Sequence, residues 1–286
     1  MSEYSGTWDN GYDIWMSCFG GTGGGIVTQG TIDSAVPGGI NLTVEEGFNG
    51  QPFSMKVEVV DDTIRSDAFG TYRIRLECAR LYDKACALDW RDTYSDVYYG
   101  SLLFIPDSYQ ITTGPYSDGL EKTQKLCQIH EGPGSWWAGG LQVDNYNPGS
   151  YPQGRLRWRL HKSKPSTSDD YLWTGDIADY TGRWIKYMVH MDQQQNGALE
   201  VWLDGVKLID EDPFDMRMSD EAIVNGRASR YPEWGIYGGM GTGNNSFYFT
   251  RCIIAPSIQA VSQFISEPYK QSQTVSKMMS HIMKAR

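Results

Sequence analysis

The chain has 286 residues, enough to bury a sizeable core within one domain, and carries a formal net charge of −10. That charge argues against nucleic acid, which is held by Lys and Arg displacing counterions, and it means that any anion site must be a local basic patch on an acidic body. Aromatic residues at 13% and 32 glycines favour short strands and tight turns over helix bundles.

The N-terminus, Met1-Ser2-Glu3-Tyr4, has neither a basic segment nor an apolar stretch, and no later run approaches the length that spans a bilayer. The expectation is a chain without a signal peptide, made soluble in the cytoplasm and not inserted in a membrane, which reaches the outside by lysis, by a non-classical route or in a virus particle. Residues 1–39 are turn-rich and aromatic, an N-terminal segment joining the domain that follows. Their run Gly20-Gly21-Thr22-Gly23-Gly24-Gly25 lacks the Gly-Lys-Ser/Thr ending of a phosphate loop and opens no helical pattern, so it reads as a flexible loop.

From Ile40 the polarity alternates. Phe53 to Val59 and Tyr72 to Glu77 switch at every residue, which sets one face of a strand in the core and the other outward. Cys78 and Cys86 are near enough in sequence to face each other across a hairpin. Even so, five scattered cysteines (Cys18, Cys78, Cys86, Cys127, Cys252) with no Cys-x-x-Cys pair read as buried thiols, not as a disulfide framework or a zinc site. Leu102 to Ile105, Leu126 to His130 and Arg155 to His161 continue the strands, the last with the cleanest alternation. Trp184 to Met191 and Leu199 to Leu203 follow, the second turning at Asp204-Gly205 into Val206 to Ile209, a two-residue hairpin signal. Trp234 to Tyr237 and Phe247 to Ile254 complete the set. Strands at this density with no helical period between them predict an all-β fold over residues 40–256, an antiparallel β-sandwich or jelly roll. Residues 257–286 form a helical tail: Ile258, Val261 and Ile265 fit one short helix, and Val275, Met278, Met279, Ile282 and Met283 fit a second. Such a tail packs on its own domain or docks a second copy of the chain or a particle surface.

Several segments in order carry a likeness to a family. They are Arg73-Ile74-Arg75-Leu76-Glu77, Tyr99-Gly100-Ser101-Leu102-Leu103-Phe104-Ile105-Pro106, Gln128-Ile129-His130, Gly182-Arg183-Trp184, Gly197 to Gly205, and Trp234-Gly235-Ile236-Tyr237. Over roughly residues 40 to 255 this order resembles the heparin-lyase-I-like polysaccharide lyases, including the glucuronan lyases, with their concanavalin-like jelly roll. The resemblance implies β-elimination at a uronic acid within an acidic polysaccharide. That chemistry must neutralise the uronate carboxylate, remove the C5 proton and protonate the departing glycosidic oxygen. Carried over by motif, Arg75 and Gln128 hold the carboxylate, His130 is the base, and Tyr237 is the acid or second base. Gln128 and His130, two apart on a strand, share a face.

Arg155, Arg157, Arg159 and His161 also share a face, and guanidinium groups suit bidentate pairing with carboxylate or sulfate. With Arg73 and Trp136, the three arginines make the candidate substrate-binding set. On a concave face they form a basic groove; on an ordinary outer face, a solvated stripe. His161 and His190 read as structural. No cofactor is expected, although Asp61, Asp62, Glu211, Asp212 and Asp215 are candidates for structural calcium in a spacing that matches no defined loop. The sequence departs from the family where relatives tend to carry cations, having Glu233 before and Gly238 after the Trp-Gly-Ile-Tyr segment. The alternative reading is a non-catalytic carbohydrate-binding or structural module of a virus particle or surface assembly, anchored by residues 257–286. A glycoside hydrolase comes last, because no Glu-x-Asp-x-x-Glu strand supplies its two carboxylates.

Overall fold

The computed structural model describes residues 12–13, 40–51, 53–59, 72–77, 96–109, 122–131, 136–146, 154–161, 169–192, 196–214, 230–238 and 245–266. In chain order the strands are β1 (Tyr12–Asp13), β2 (Ile40–Glu46), β3 (Phe53–Val59), β4 (Tyr72–Glu77), β5 (Asp96–Phe104), β6 (Lys122–Glu131) and β7 (Trp136–Tyr146). They continue as β8 (Arg155–His161), β9 (Asp169–Asp176), β10 (Trp184–Asp192), β11 (Gly197–Leu203), β12 (Val206–Phe214), β13 (Arg230–Gly238) and β14 (Asn245–Ala255), followed by helix α1 (Ile258–Ser266). An eight-stranded sheet runs β12-β11-β10-β5-β14-β3-β2, with β1 paired to β14, and a six-stranded sheet runs β4-β13-β6-β7-β8-β9. The chain crosses repeatedly between the two, and every ladder is antiparallel, as expected of a β-sandwich of jelly-roll type.

Two strands without a clean alternating signal, β7 and β9, owe this to glycine. A Cβ at Gly139 would meet the Arg159 carbonyl oxygen at 2.7 Å and the Trp158 ring at 3.1 Å, and one at Gly175 would meet the Trp173 ring at 2.6 Å. Close approach to a large ring demands glycine there, while in the sequence the same residue reads as a turn.

The two sheets meet through Leu103, Tyr187, Val189, Val201, Phe247 and Phe249 on one side and Ile129, Leu141, Val143, Leu156 and Trp158 on the other, none more than 2% exposed. Trp158 Nε1 donates to the Tyr187 hydroxyl at 3.1 Å, joining the sheets across the core. Full burial of each such side chain is worth roughly 1.5–3 kcal/mol.

The outer face of the eight-stranded sheet is closed as well. Val261 and Ile265 of α1 pack with Leu102, Met188, Trp202, Ile253 and Ala255. A Cβ at Gly100 would lie 2.5 Å from Val261 Cγ1, so this glycine lets the helix settle on β5. Ser257 Oγ accepts from the Ala260 amide at 3.3 Å to cap the first turn. At the other end Arg251 donates to the Phe264 carbonyl at 3.0 Å and to Gln51 at 3.2 Å. The first part of the tail thus packs on its own domain. The expected second helix, the Gly20–Gly25 loop, Cys78, Cys86, Asp61, Asp62 and Asp215 lie outside the described residues. No helix among the described residues is long and apolar enough to cross a membrane.

Candidate active site

Trp158 decides which face of β8 is which. Its side chain lies in the core with Tyr187, so the odd positions Arg155, Arg157 and Arg159 belong to the face of the six-stranded sheet turned away from its partner. Residues paired directly across strands share a face, so the register extends this assignment over the whole sheet.

One row of partners crosses all six strands as Arg73, Tyr237, Lys125, Gln142, Arg157 and Thr174. A second crosses as Glu77, Glu233, Gln128, Gly140, Arg159 and Tyr171. Between them on the β4–β13 pair, Arg75 stands opposite Gly235 on the same face. Beyond the second row, His130 is opposite Tyr231 on one side and Trp137 on the other. Arg75, Gln128, His130 and Tyr237, drawn from three neighbouring strands, therefore occupy one outer face, and Arg73, Arg155, Arg157 and Arg159 share it. The register gives Trp137 the position opposite His130, while Trp136 is opposite Glu131, one step on and on the alternate face.

Register shifts concentrate here. On β6 the pairing slips between Lys125 and Cys127, so Leu126 and Cys127, at 0% and 3% exposure, are both in the core. The slip reverses the face assignment N-terminal to it. Simple alternation from Gln128 and His130 would assign Lys125 to the core face, but the shift brings it to the outer one, opposite Tyr237. Lys125, Tyr231 and Trp137 are the residues that sequence reasoning missed; for Lys125 no periodic signal existed, because the bulge breaks the period.

The arginine stripe is not an ordinary solvated one. Arg155, 30% exposed, pairs with Asp176 at 3.5 Å near the sheet edge, while Arg157 is only 2% exposed and its neighbour Gln142 is fully buried. Two carboxylate positions, Glu77 and Glu233, stand side by side next to Gln128 in the second row. Cys127, directly beneath on the core side, is a free thiol that burial pushes well above its ordinary range.

On the opposite outer face, His190 of β10 is held between Glu200 Oε2 at 2.6 Å and Asp96 Oδ1 at 2.7 Å and stacks on Tyr98 at 4.1 Å. Glu200 also accepts from Lys207, which bonds Asp210 at 3.1 Å. Burial and the neighbouring Asp96 and Glu200 charges raise the Tyr98 hydroxyl above its usual value. Every polar group of this histidine is engaged in tying β5, β10 and β11 together. Among the described residues no group of three or more His, Cys, Asp or Glu converges to hold a metal, and Glu211 and Asp212 stand exposed on β12.

Compared with known proteins, residues 20–251 match the family model described as polysaccharide lyase. The chain belongs to this family. It is thus a lyase acting on a polysaccharide, and the resemblance read from the motifs holds at that level. No curated protein sequence matches the lyase. Among solved structures, the endo-β-1,4-glucuronan lyase of Trichoderma reesei shares the fold at 14% identity and a TM-score of 0.52, over 78% of this chain and 89% of that one. The alginate lyase AlyC3 is similar at 11% identity and a TM-score of 0.46, over 70% and 74% of the two chains. A GH131 β-glucanase catalytic domain from Podospora anserina is similar at 14% identity and a TM-score of 0.45, over 76% and 79%.

Proposed function

We propose that the lyase cleaves a uronate-containing acidic polysaccharide by β-elimination on the outer face of its six-stranded sheet. Arg75 and Gln128 hold the uronate carboxylate, which spreads the charge that develops when the C5 proton leaves. His130 takes that proton, the C4–C5 double bond forms as the C4–O bond breaks, and Tyr237 gives a proton to the departing oxygen. The observation that carries this reading is the common face of the four positions on neighbouring strands, within a polysaccharide lyase family. Arg75 has to outweigh Glu77 and Glu233 beside Gln128, and its partner Gly235 brings no side chain to compete for the ligand.

The test is the ultraviolet absorbance of unsaturated uronate during incubation with glucuronan, alginate, heparin and hyaluronan. The expected result is a rise with at least one polymer, reduced at least about a hundredfold in His130→Ala, the lower bound for loss of a general base. A flat trace with all four polymers, from a folded protein, contradicts the reading.

A further inference from the structure

The motif that carries Tyr237 lacks cations at positions 233 and 238, yet the register supplies one from another strand. Lys125 stands directly opposite Tyr237 on β6, and Arg73 stands opposite Tyr237 on β4. With Arg157 two strands further along, cations occupy alternate strands of a single row, β4, β6 and β8. Neighbouring strands lie about 4.7–4.9 Å apart, so Arg73 and Lys125, on either side of β13, are spaced by roughly 9–10 Å. The parallel row two positions away begins instead with Glu77 and Glu233. The face is thus divided into a basic track and a track that is acidic at its β4–β13 end. An anionic polymer is attracted to the first and repelled from that end of the second. Arg157 is only 2% exposed, so the cations of this row open to a ligand by position are Arg73 and Lys125.

We propose that Lys125, opposite Tyr237 and in line with Arg73, is a substrate-binding residue that sets the preference of this site for polyuronates. The proposal rests on the lyase reading of this face. Lys125 touches a carboxylate of the sugar next to the one being cleaved and takes no part in proton transfer.

Binding and turnover separate the two ideas. Calorimetric titration of the full-length protein with oligomers of glucuronate and of mannuronate measures affinity, and the ultraviolet assay measures KM and kcat. Lys125→Gln is expected to weaken oligouronate binding and raise KM by roughly tenfold, the loss of one charge-assisted contact, with kcat little changed and the melting midpoint preserved. Lys125→Arg is expected to restore both. Lys125→Met, which keeps the aliphatic stem, stands in if Lys125→Gln does not fold. Unchanged affinity in a folded neutral variant overturns the proposal, as does failure of the wild type to bind any oligouronate. A fall in kcat with KM unchanged overturns it too, since that marks Lys125 as part of the chemistry. Failure of the lyase reading shows separately, as a flat trace from the wild type in the ultraviolet assay.

Discussion

The outer faces of the two sheets are built in opposite ways from similar residues. Each carries at least one histidine, arginine, lysine, carboxylate and tryptophan. On the eight-stranded sheet these groups are spent on one another: His190 lies between Asp96 and Glu200, Arg251 caps the helix laid across the face, and Val261 and Ile265 close its centre. On the six-stranded sheet the described helix is absent from the outer face, and the register sorts charge into rows, with Arg73, Lys125 and Arg157 in one and Glu77 and Glu233 in the next. The β5–β10 ladder is regular, while the first sheet slips where β14 meets β5 and between β11 and β12, and the second slips on both sides of β6. Satisfied polar groups under a helix stabilise, whereas on the other sheet Gln128, His130 and Tyr237 share the outer face, Gln128 opposite Glu233, His130 opposite Tyr231 and Tyr237 opposite Lys125.

Variants sharpen that contrast. Ile265→Ala on the helix-covered face is expected to lower stability by about 2–5 kcal/mol through the cavity it leaves, with the rate per folded molecule unchanged, as denaturant melts and active-site titration would show. Loss of turnover in the folded fraction would mean that the covered face also serves the reaction. Tyr187→Phe leaves the buried Trp158 N–H without its acceptor and is expected to cost about 1–3 kcal/mol.

The same tyrosine bears on pH. Burial raises the Tyr187 hydroxyl far above its usual value and raises the Cys127 thiol as well, so the folded state keeps protons that the unfolded chain releases. The stability they contribute is complete below the ordinary thiol and phenol ranges and is lost progressively as pH rises above about 8.5 and 10 toward the raised values of the folded state. The alkaline fall in melting midpoint should be shallower in Tyr187→Phe; an unchanged slope would contradict the assignment. The smallest effect belongs to Arg183→Ala. Its pair with Asp204 is exposed at 47% and 32%, so under about 1 kcal/mol should be lost and activity kept.

That last variant also shows what the sequence did and did not convey. The landmark segments were legible, but several of them describe the scaffold. Gly182-Arg183-Trp184 leads into β10 and Asp204-Gly205 makes the β11–β12 turn, where Asp204 accepts from the Lys186 amide at 3.0 Å, and Gly100 makes room for Val261. Alternation identified β3, β4 and β8 with their limits, because one face of each is polar. It failed at β7 and β9, whose glycines answer to the bulk of Trp158 and Trp173. Within the candidate site, Gln128 and His130 could be assigned to one face by their spacing. Lys125 could not, because the bulge at Leu126 is visible only in the pairing. The alternation that grouped Arg155, Arg157 and Arg159 gave no hint that Arg157 is buried, which depends on what lies over the sheet.

His130 and His190, on opposite outer faces, test the central claim most directly. Initial rates of unsaturated-uronate formation would be compared for wild type, His130→Ala and His190→Ala at equal concentrations of folded protein. The account predicts that His130→Ala loses at least about a hundredfold in rate with its melting midpoint retained, while His190→Ala loses stability and keeps its rate per folded molecule. The reverse pattern, a catalytically intact His130→Ala beside an inactive but folded His190→Ala, would contradict it and move the active site to the other sheet.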